Sequence, residues 1–236
     1  MTYHRKRSQK ITTALIRIAI LLSFIAIALL VVGYAQGIKF NRSTMTLEST
    51  GAINLSGKIQ NVQILLNGSA IATTLPLYIK DLKPDNDYDV VIQKDGYHNW
   101  TKSFQIKESI VQSIDNIMLF KNSYIPVKAE AVDDKKICAK NSPSAKDMLM
   151  IGNGEVRFLG ELITRISSGV TYGCWFKDQS HITYATNEQI RVIERGGTND
   201  TLIHDADSFV EIVVSTENDS AIIFRDQSDK WWKIVL

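Results

Sequence analysis

The chain has 236 residues, 44% hydrophobic and 22% charged, with a formal net charge of +2, which fits one or two globular domains and excludes a disordered or collagenous protein. Two cysteines are too few for a disulfide-built scaffold, and Cys138 and Cys174 lack the close spacing of a structural zinc site or a thioredoxin-like pair. The near-neutral total hides a division. Residues 1–47 hold Arg5, Lys6, Arg7, Lys10, Arg17, Lys39 and Arg42 and no acid; taking these seven from 27 basic residues leaves 20 against 25 acidic ones, so the remainder is mildly acidic and a poor match for nucleic acid.

No charge occurs from Ile18 to Ile38, a run of about 21 residues that as helix spans roughly 30 Å, the thickness of a bilayer core. The basic cluster His4-Arg5-Lys6-Arg7 with Lys10 precedes it, and this bias predicts a cytoplasmic N-terminus. The expected order is a cytoplasmic basic tail over 1–13, a transmembrane helix over 14–36, and everything later outside the cytoplasm at the plasma membrane. A cleavable signal peptide is the rival reading, because Gly33-Tyr34-Ala35 offers small residues to a peptidase, but its apolar region is normally about 7–15 residues long. A buried core helix does not fit a run that is apolar all round.

Residues 37–50 are polar and turn-prone over most of their length and predict a short stalk. Beyond them the pattern changes to short runs rich in Val, Ile, Thr and aromatics, broken by Asn, Gly and Asp, with candidate strands at 51–56, 61–66, 75–80, 87–94, 100–107 and 110–120. Asn67-Gly68 reads as a hairpin turn, since both residues tolerate positive φ, and Lys94-Asp95-Gly96 as a second turn. Tyr88, Val90 and Ile92 share one face of a strand, and Trp100, Phe104 and Ile106 one face of the next. The fold class expected is all-β: a small antiparallel β-sandwich plus partial β-propeller-like repeats, carried on one N-terminal transmembrane helix.

The succession Val62-Gln-Ile-Leu-Leu-Asn-Gly68, Thr74-Leu-Pro-Leu77, Leu82-Lys-Pro-Asp-Asn-Asp-Tyr-Asp-Val-Val-Ile92 and Gly96-Tyr-His-Asn-Trp100 resembles the PEGA domain, a small extracytoplasmic β-sandwich of bacterial and archaeal surface proteins, over residues 51–120. Three departures from the family pattern stand out: Leu75 lies between the threonine and the proline, Asp85-Asn86 replaces the glycine after Pro84, and the alanine of the name motif is missing. The resemblance brings no catalytic residues with it.

Residues 121–236 carry an internal repeat. Cys174–Tyr184 aligns without gaps on Val214–Phe224, and Asp147–Leu159 matches His181–Ile193. The first offset, about 40 residues, suits a four-stranded blade. The pattern resembles the WD40-like or TolB-type propeller repeats that often follow a PEGA domain in membrane-anchored proteins of small-genome bacteria. About three incomplete blades are expected, too few to close a propeller. The apolar end Lys230-Trp-Trp-Lys-Ile-Val-Leu236 reads as a strand with a bare edge, as in a shortened family member, and such edges lead to an expectation of homo-association.

Little in the sequence points to chemistry. Asp85, Asp87 and Asp89 alternate like the start of a calcium loop, but the sixth and twelfth places hold Val90 and Gly96 rather than Gly and Glu, so a solvated turn is expected. His98, His181 and His204 show no metal-ligand spacing and are read as surface-turn histidines. No nucleophile elbow, P-loop or dinucleotide fingerprint occurs, and Gly196-Gly197 lacks the following helix that would hold phosphate. The six N-x-S/T sequons, at Asn41, Asn54, Asn67, Asn99, Asn199 and Asn218, are read as products of turn-rich composition. No catalytic residue, cofactor or metal is predicted.

Aromatics are the candidate ligand- or partner-binding residues: Tyr97, His98 and Trp100 after a turn, and Trp175, Trp231 and Trp232 in the repeats, able to stack on sugar rings or a peptide. Trp231 and Trp232, adjacent in a strand, must face opposite sides. Cys138 and Cys174 are a candidate disulfide if the compartment is oxidising, with two buried thiols as the alternative. The function expected is a single-pass, signal-anchored cell-envelope protein that binds or scaffolds a cell-wall polymer or an envelope protein. The alternative is an extracytoplasmic enzyme or sensor accessory domain with unrecognised catalytic loops.

Overall fold

Most of the uncharged run lies in helix α1, Tyr3–Ala35, whose stretch Leu15–Ala35 contains no buried residue. The computed structural model describes residues 3–35, 37–41, 45–130, 139–140, 149–152, 154–167, 169–176, 178–205, 209–214 and 221–236, with 3–14, 41, 139–140, 149–150 and 209–214 described by backbone only. The helix ends where Gly37 takes φ +76° and its N–H turns back to the Tyr34 carbonyl at 3.1 Å.

The segment read as a stalk pairs with itself instead. Strands β1 (Ile38–Asn41) and β2 (Thr46–Ser49) form an antiparallel hairpin in which Ile38 faces Ser49 and Phe40 faces Leu47. Thr50 locks its base, donating its N–H at 3.0 Å and its Oγ1 at 2.8 Å to the Gly37 carbonyl. The overall polarity of residues 37–50 concealed a period of two: Ile38, Phe40 and Leu47 share one face, Lys39 and Glu48 the other.

Seven strands follow: β3 (Gly51–Gly57), β4 (Gln63–Leu66), β5 (Ser69–Ala72), β6 (Leu77–Leu82), β7 (Asp87–Gln93), β8 (Trp100–Gln105) and β9 (Val111–Ile117). They make two sheets, in the orders β6-β3-β9 and β5-β4-β7-β8. Each of the six candidate strand ranges falls on one of them, and the short, mostly exposed β5 is the addition. Asn67 (φ 48°) and Gly68 (φ +79°) form the two-residue turn joining β4 to β5, where two successive positive φ values match the twist of the paired strands.

The chain forms two compact units: Met1–Asn54 with Tyr78–Asp87 and Gln105–Gln112, and Leu55–Leu77 with Tyr88–Phe104 and Ser113–Leu236. In the first, Ile53, Leu82 and Ile106 are buried, and the hairpin is tied down by the Lys39–Asp81 ion pair and a Ser49–Ser109 hydroxyl contact of 3.1 Å. In the second, Val90, Ile92, Trp100 and Phe104 are buried and Tyr88 is half-buried, in line with the alternation of β7 and β8.

The rest of the second unit contains β10 (Val127–Lys128), β11 (Ala139–Lys140), β12 (Leu149–Gly152), β13 (Glu155–Phe158), β14 (Glu161–Arg165), β15 (Tyr172–Trp175), β16 (His181–Ala185), β17 (Gln189–Glu194), β18 (Thr201–Asp205), β19 (Phe209–Val214), β20 (Ala221–Asp226) and β21 (Trp231–Val235). These build three antiparallel sheets, ordered β12-β13-β14, β11-β15-β16-β17-β18 and β10-β21-β20-β19. The middle sheet is covered on both faces. Ile182, Tyr184 and Ile193 pack with Ile151, Val156 and Val170 on one side; Tyr172, Ala185, Ile190 and Val192 pack with Ile222, Phe224 and Ile234 on the other. Two-sided burial explains why all five residues of β16 are buried without alternation.

The aligned repeat segments occupy like positions. Residues 174–184 run through β15 and β16 as 214–224 run through β19 and β20, while 181–193 span β16 and β17 as 147–159 span β12 and β13; residues 147–148, 153, 177 and 215–220 lie outside the described residues. The edge expected to be bare is occupied in part. β10 pairs with β21, Val127 opposite Lys233 and Lys128 opposite Trp232, and Ala129 N–H donates to the Trp231 carbonyl at 2.9 Å. The sequence reading missed β10 because two residues in a loop-like stretch carry no periodicity.

Candidate functional site

The six candidate aromatic positions do not converge on one face. Tyr97 follows the Lys94–Gly96 turn, where Gly96 has φ +79° and Tyr97 N–H returns to the Lys94 carbonyl at 3.0 Å. The Lys94 ammonium lies 5.1 Å from the centre of its ring. His98 is half-buried, its N–H donating to the Phe120 carbonyl at 2.8 Å. Trp100 is only 2% exposed and belongs to the interior, so it cannot stack on a ligand. Trp175 meets Phe158 edge-on at 5.1 Å. Trp231 and Trp232 do face opposite sides. Trp232 packs beside Phe224 and Ile234 and donates its Nε1–H to Asp226 at 2.8 Å, whereas Trp231 sits under the Arg225 guanidinium at 5.6 Å.

Cys174 is disulfide-bonded; Cys138, the only other cysteine in the sequence, lies outside the described residues.

Two of the histidines depart from the surface-turn reading. His181 is 2% exposed at the start of β16, between Phe120 and Phe176, with Nδ1 2.9 Å from Asp178 Oδ2. His204 is half-buried in β18, 5.4 Å from the Phe224 ring, and burial holds its pKa below the ordinary value. Both lie at polar-looking positions of strands whose neighbours, not whose own pattern, decide burial.

The densest polar arrangement surrounds Glu194, at the end of β17. Its carboxylate accepts hydrogen bonds from Trp100 Nε1–H, from Thr198 Oγ1 at 2.7 Å and from Lys102 Nζ at 3.3 Å. Beside it, Thr101 N–H donates to Asn199 Oδ1 at 2.9 Å. Three successive residues of β8 thus engage one loop of the middle repeat sheet. Burial pushes the Glu194 pKa up, but the Thr198 and Trp100 hydrogen bonds and the Lys102 charge outweigh it and leave the group below its ordinary value. Asp178 follows the same logic: burial raises it, and hydrogen bonds from His181 and from the Ser180 N–H bring it lower than a free carboxylate.

The space at this junction, bordered by His98, Trp100, His181, Glu194 and Asn199, is about 10 Å³. That is far below the roughly 300 Å³ at which small-molecule pockets begin, so the arrangement is structural glue rather than a substrate site. A larger groove of about 480 Å³ lies nearby, bordered by Gly57, Lys58, Tyr97, Asn116, Met118 and Asp178 among others. Its lining mixes an aromatic phenol, an amide, an amine and a carboxylate with apolar side chains. Of the six aromatic candidates, only Tyr97 borders it.

Sequence reading placed residues 118–120 inside a strand; β9 stops at Ile117, and Met118, Leu119 and Phe120 border both spaces. The signal was there. Four apolar residues in a row, Ile117-Met-Leu-Phe120, break the strand alternation and mark a segment covered on more than one side.

The lowered carboxylates set a pH dependence. Stability from a depressed pKa is complete above the unfolded value, ordinarily 3.8 for Asp and 4.5 for Glu, and is lost as pH falls through the folded value. The melting temperature is therefore expected to hold down to about pH 5 and to fall below it. The Glu194→Gln variant should show a flatter loss over that acid range than the parent chain. Identical acid profiles would mean that Glu194 is not held as described.

Neither any protein-family model nor any curated protein matches the chain.

Proposed function

We propose that the chain is a single-pass, membrane-anchored protein of the cell envelope whose β body, outside the cytoplasm, binds or scaffolds a wall polymer or another envelope protein. The observation that carries this reading is α1: 21 residues from Leu15 to Ala35, uncharged after Arg17, none of them buried among the described residues, joined to a mostly β body. The basic residues before the apolar run favour a cytoplasmic N-terminus. The bonded state of Cys174 fits an oxidising compartment.

Within the proposal, residues 51–120 are a PEGA-like module and 121–236 propeller-type repeats. The positive-φ turn at Asn67-Gly68 and the repeat segments falling on like hairpins support those two assignments. The groove beside Tyr97 is the proposed ligand surface.

Two measurements test the reading. Protease added to intact cells is expected to remove the region after Gly37; if that region survives until the cells are permeabilised, the orientation is wrong. Co-sedimentation of the full chain with isolated cell-wall material, together with capture from native envelope, is expected to be weakened by Tyr97→Ala. Binding unaffected by that change would place the partner elsewhere.

A further inference from the structure

Apolar side chains at the exit of α1 remain uncovered by the rest of the chain. On the β1–β2 hairpin the cross-strand pair Phe40 and Leu47 are 56% and 72% exposed, and Met45 beside β2 is 75% exposed. Tyr34, in the last turn of α1, is 73% exposed. Together with Tyr78 and Ile110 it borders a groove of about 320 Å³ that also includes Lys39 and Lys80. A cross-strand aromatic–aliphatic pair left in water is an uncommon expense for a hairpin, because such a pair stabilises a sheet by being covered.

The hairpin is not free to swing. Gly37 is the turn between helix and β1, and its carbonyl is gripped twice by Thr50 at the far end of β2. Ser109 N–H donates to the Thr50 carbonyl at 3.0 Å, and Lys39 pairs with Asp81. The apolar face is thereby held within one turn of the place where the apolar helix ends. A surface continuous with a bilayer-spanning helix and carrying an exposed aliphatic–aromatic pair has the composition of a membrane interface.

We propose that the hairpin face formed by Phe40, Met45 and Leu47 lies in the headgroup–acyl boundary of the bilayer that α1 spans. The occupant is the lipid surface, and the proposal rests on the membrane-anchor reading of α1. Residues 37–50 then press the first unit onto the lipid rather than lifting it away. Alternation assigns the roles: Phe40 and Leu47 point to lipid while Lys39 and Thr46 point away from it.

The test uses the full chain in phosphatidylcholine–phosphatidylglycerol vesicles, with an environment-sensitive fluorophore attached to a cysteine introduced by Leu47→Cys, Phe40→Cys, Thr46→Cys or Leu30→Cys. Doxyl-labelled lipids serve as quenchers. Leu30 reports on the anchor alone. Labels at positions 40 and 47 are expected to emit at shorter wavelength and to be strongly quenched by shallow doxyl groups, while the label at Thr46 stays water-like. Quenching at Leu30 with none at 40 and 47 overturns the interfacial hairpin and leaves the anchor standing. No quenching at any position overturns both. A blue shift at 40 and 47 without lipid quenching means that a second protein chain covers the face, and that also overturns the proposal.

Discussion

Replacing Trp100 by alanine is expected to destabilise the protein by about 3–5 kcal/mol, the range for deleting a fully buried large aromatic. Two losses combine. The side chain is 2% exposed and leaves a cavity that neighbouring strands cannot fully close, and its indole N–H is one of three donors to the buried carboxylate of Glu194. Trp100→Phe separates them, since it keeps most of the volume and removes only the donor; a cost of about 1–3 kcal/mol is expected. Chemical denaturation of the full chain in mild detergent, followed by fluorescence of the remaining tryptophans, reads both variants. If the alanine variant unfolds at the parent midpoint, Trp100 is not a keystone of the fold.

The second large effect is expected at Gly51. A Cβ there would lie 2.5 Å from the Lys107 carbonyl oxygen and 2.5 Å from Ile106 Cγ2, with the Ile110 carbonyl oxygen at 3.1 Å. A methyl side-chain end can rotate away, but the carbonyl belongs to the backbone. To make room, β3 must retreat from the 106–110 turn, which strains the hydrogen bond from Ala52 N–H to the Ile110 carbonyl at 3.0 Å. Gly51→Ala should therefore cost about 3 kcal/mol, at the upper end of the overpacking range. Gly152→Ala is the matched control, because its φ is ordinary and nothing lies within 4 Å of the new methyl. A thermal melt in which both variants match the parent would show that β3 and the turn are looser than the geometry indicates.

Both changes touch places where sequence alone had given partial guidance. The turn at Asn67-Gly68, the buried faces of β7 and β8 and the opposite orientations of Trp231 and Trp232 are local consequences of residue type and period, and they were legible. Alternation puts Trp100 on the inward face of its strand, but whether an inward face meets solvent, ligand or another sheet is decided by residues such as Glu194, distant in sequence. The same limit hid His181. Its neighbours Ser180 and Thr183 look like an exposed strand, and only the rings of Phe120 and Phe176 beside it make the position interior. For the hairpin at 38–49 the fault was averaging: a polar segment on the whole, with its apolar members all on one side.

The pairing of β10 with β21 joins residues about a hundred positions apart, and it has a consequence for the order of events during synthesis. Hairpins such as β13–β14 or β16–β17 can close as soon as their own residues leave the ribosome, since their partners are adjacent. Val127 and Lys128 must wait until Trp232 and Lys233 arrive, with the intervening strands already in place. Strand β21 is thus the clasp. Until it closes, a growing chain presents an unsatisfied backbone edge to its surroundings, and this interval is when a chaperone or a neighbouring nascent copy has most to bind.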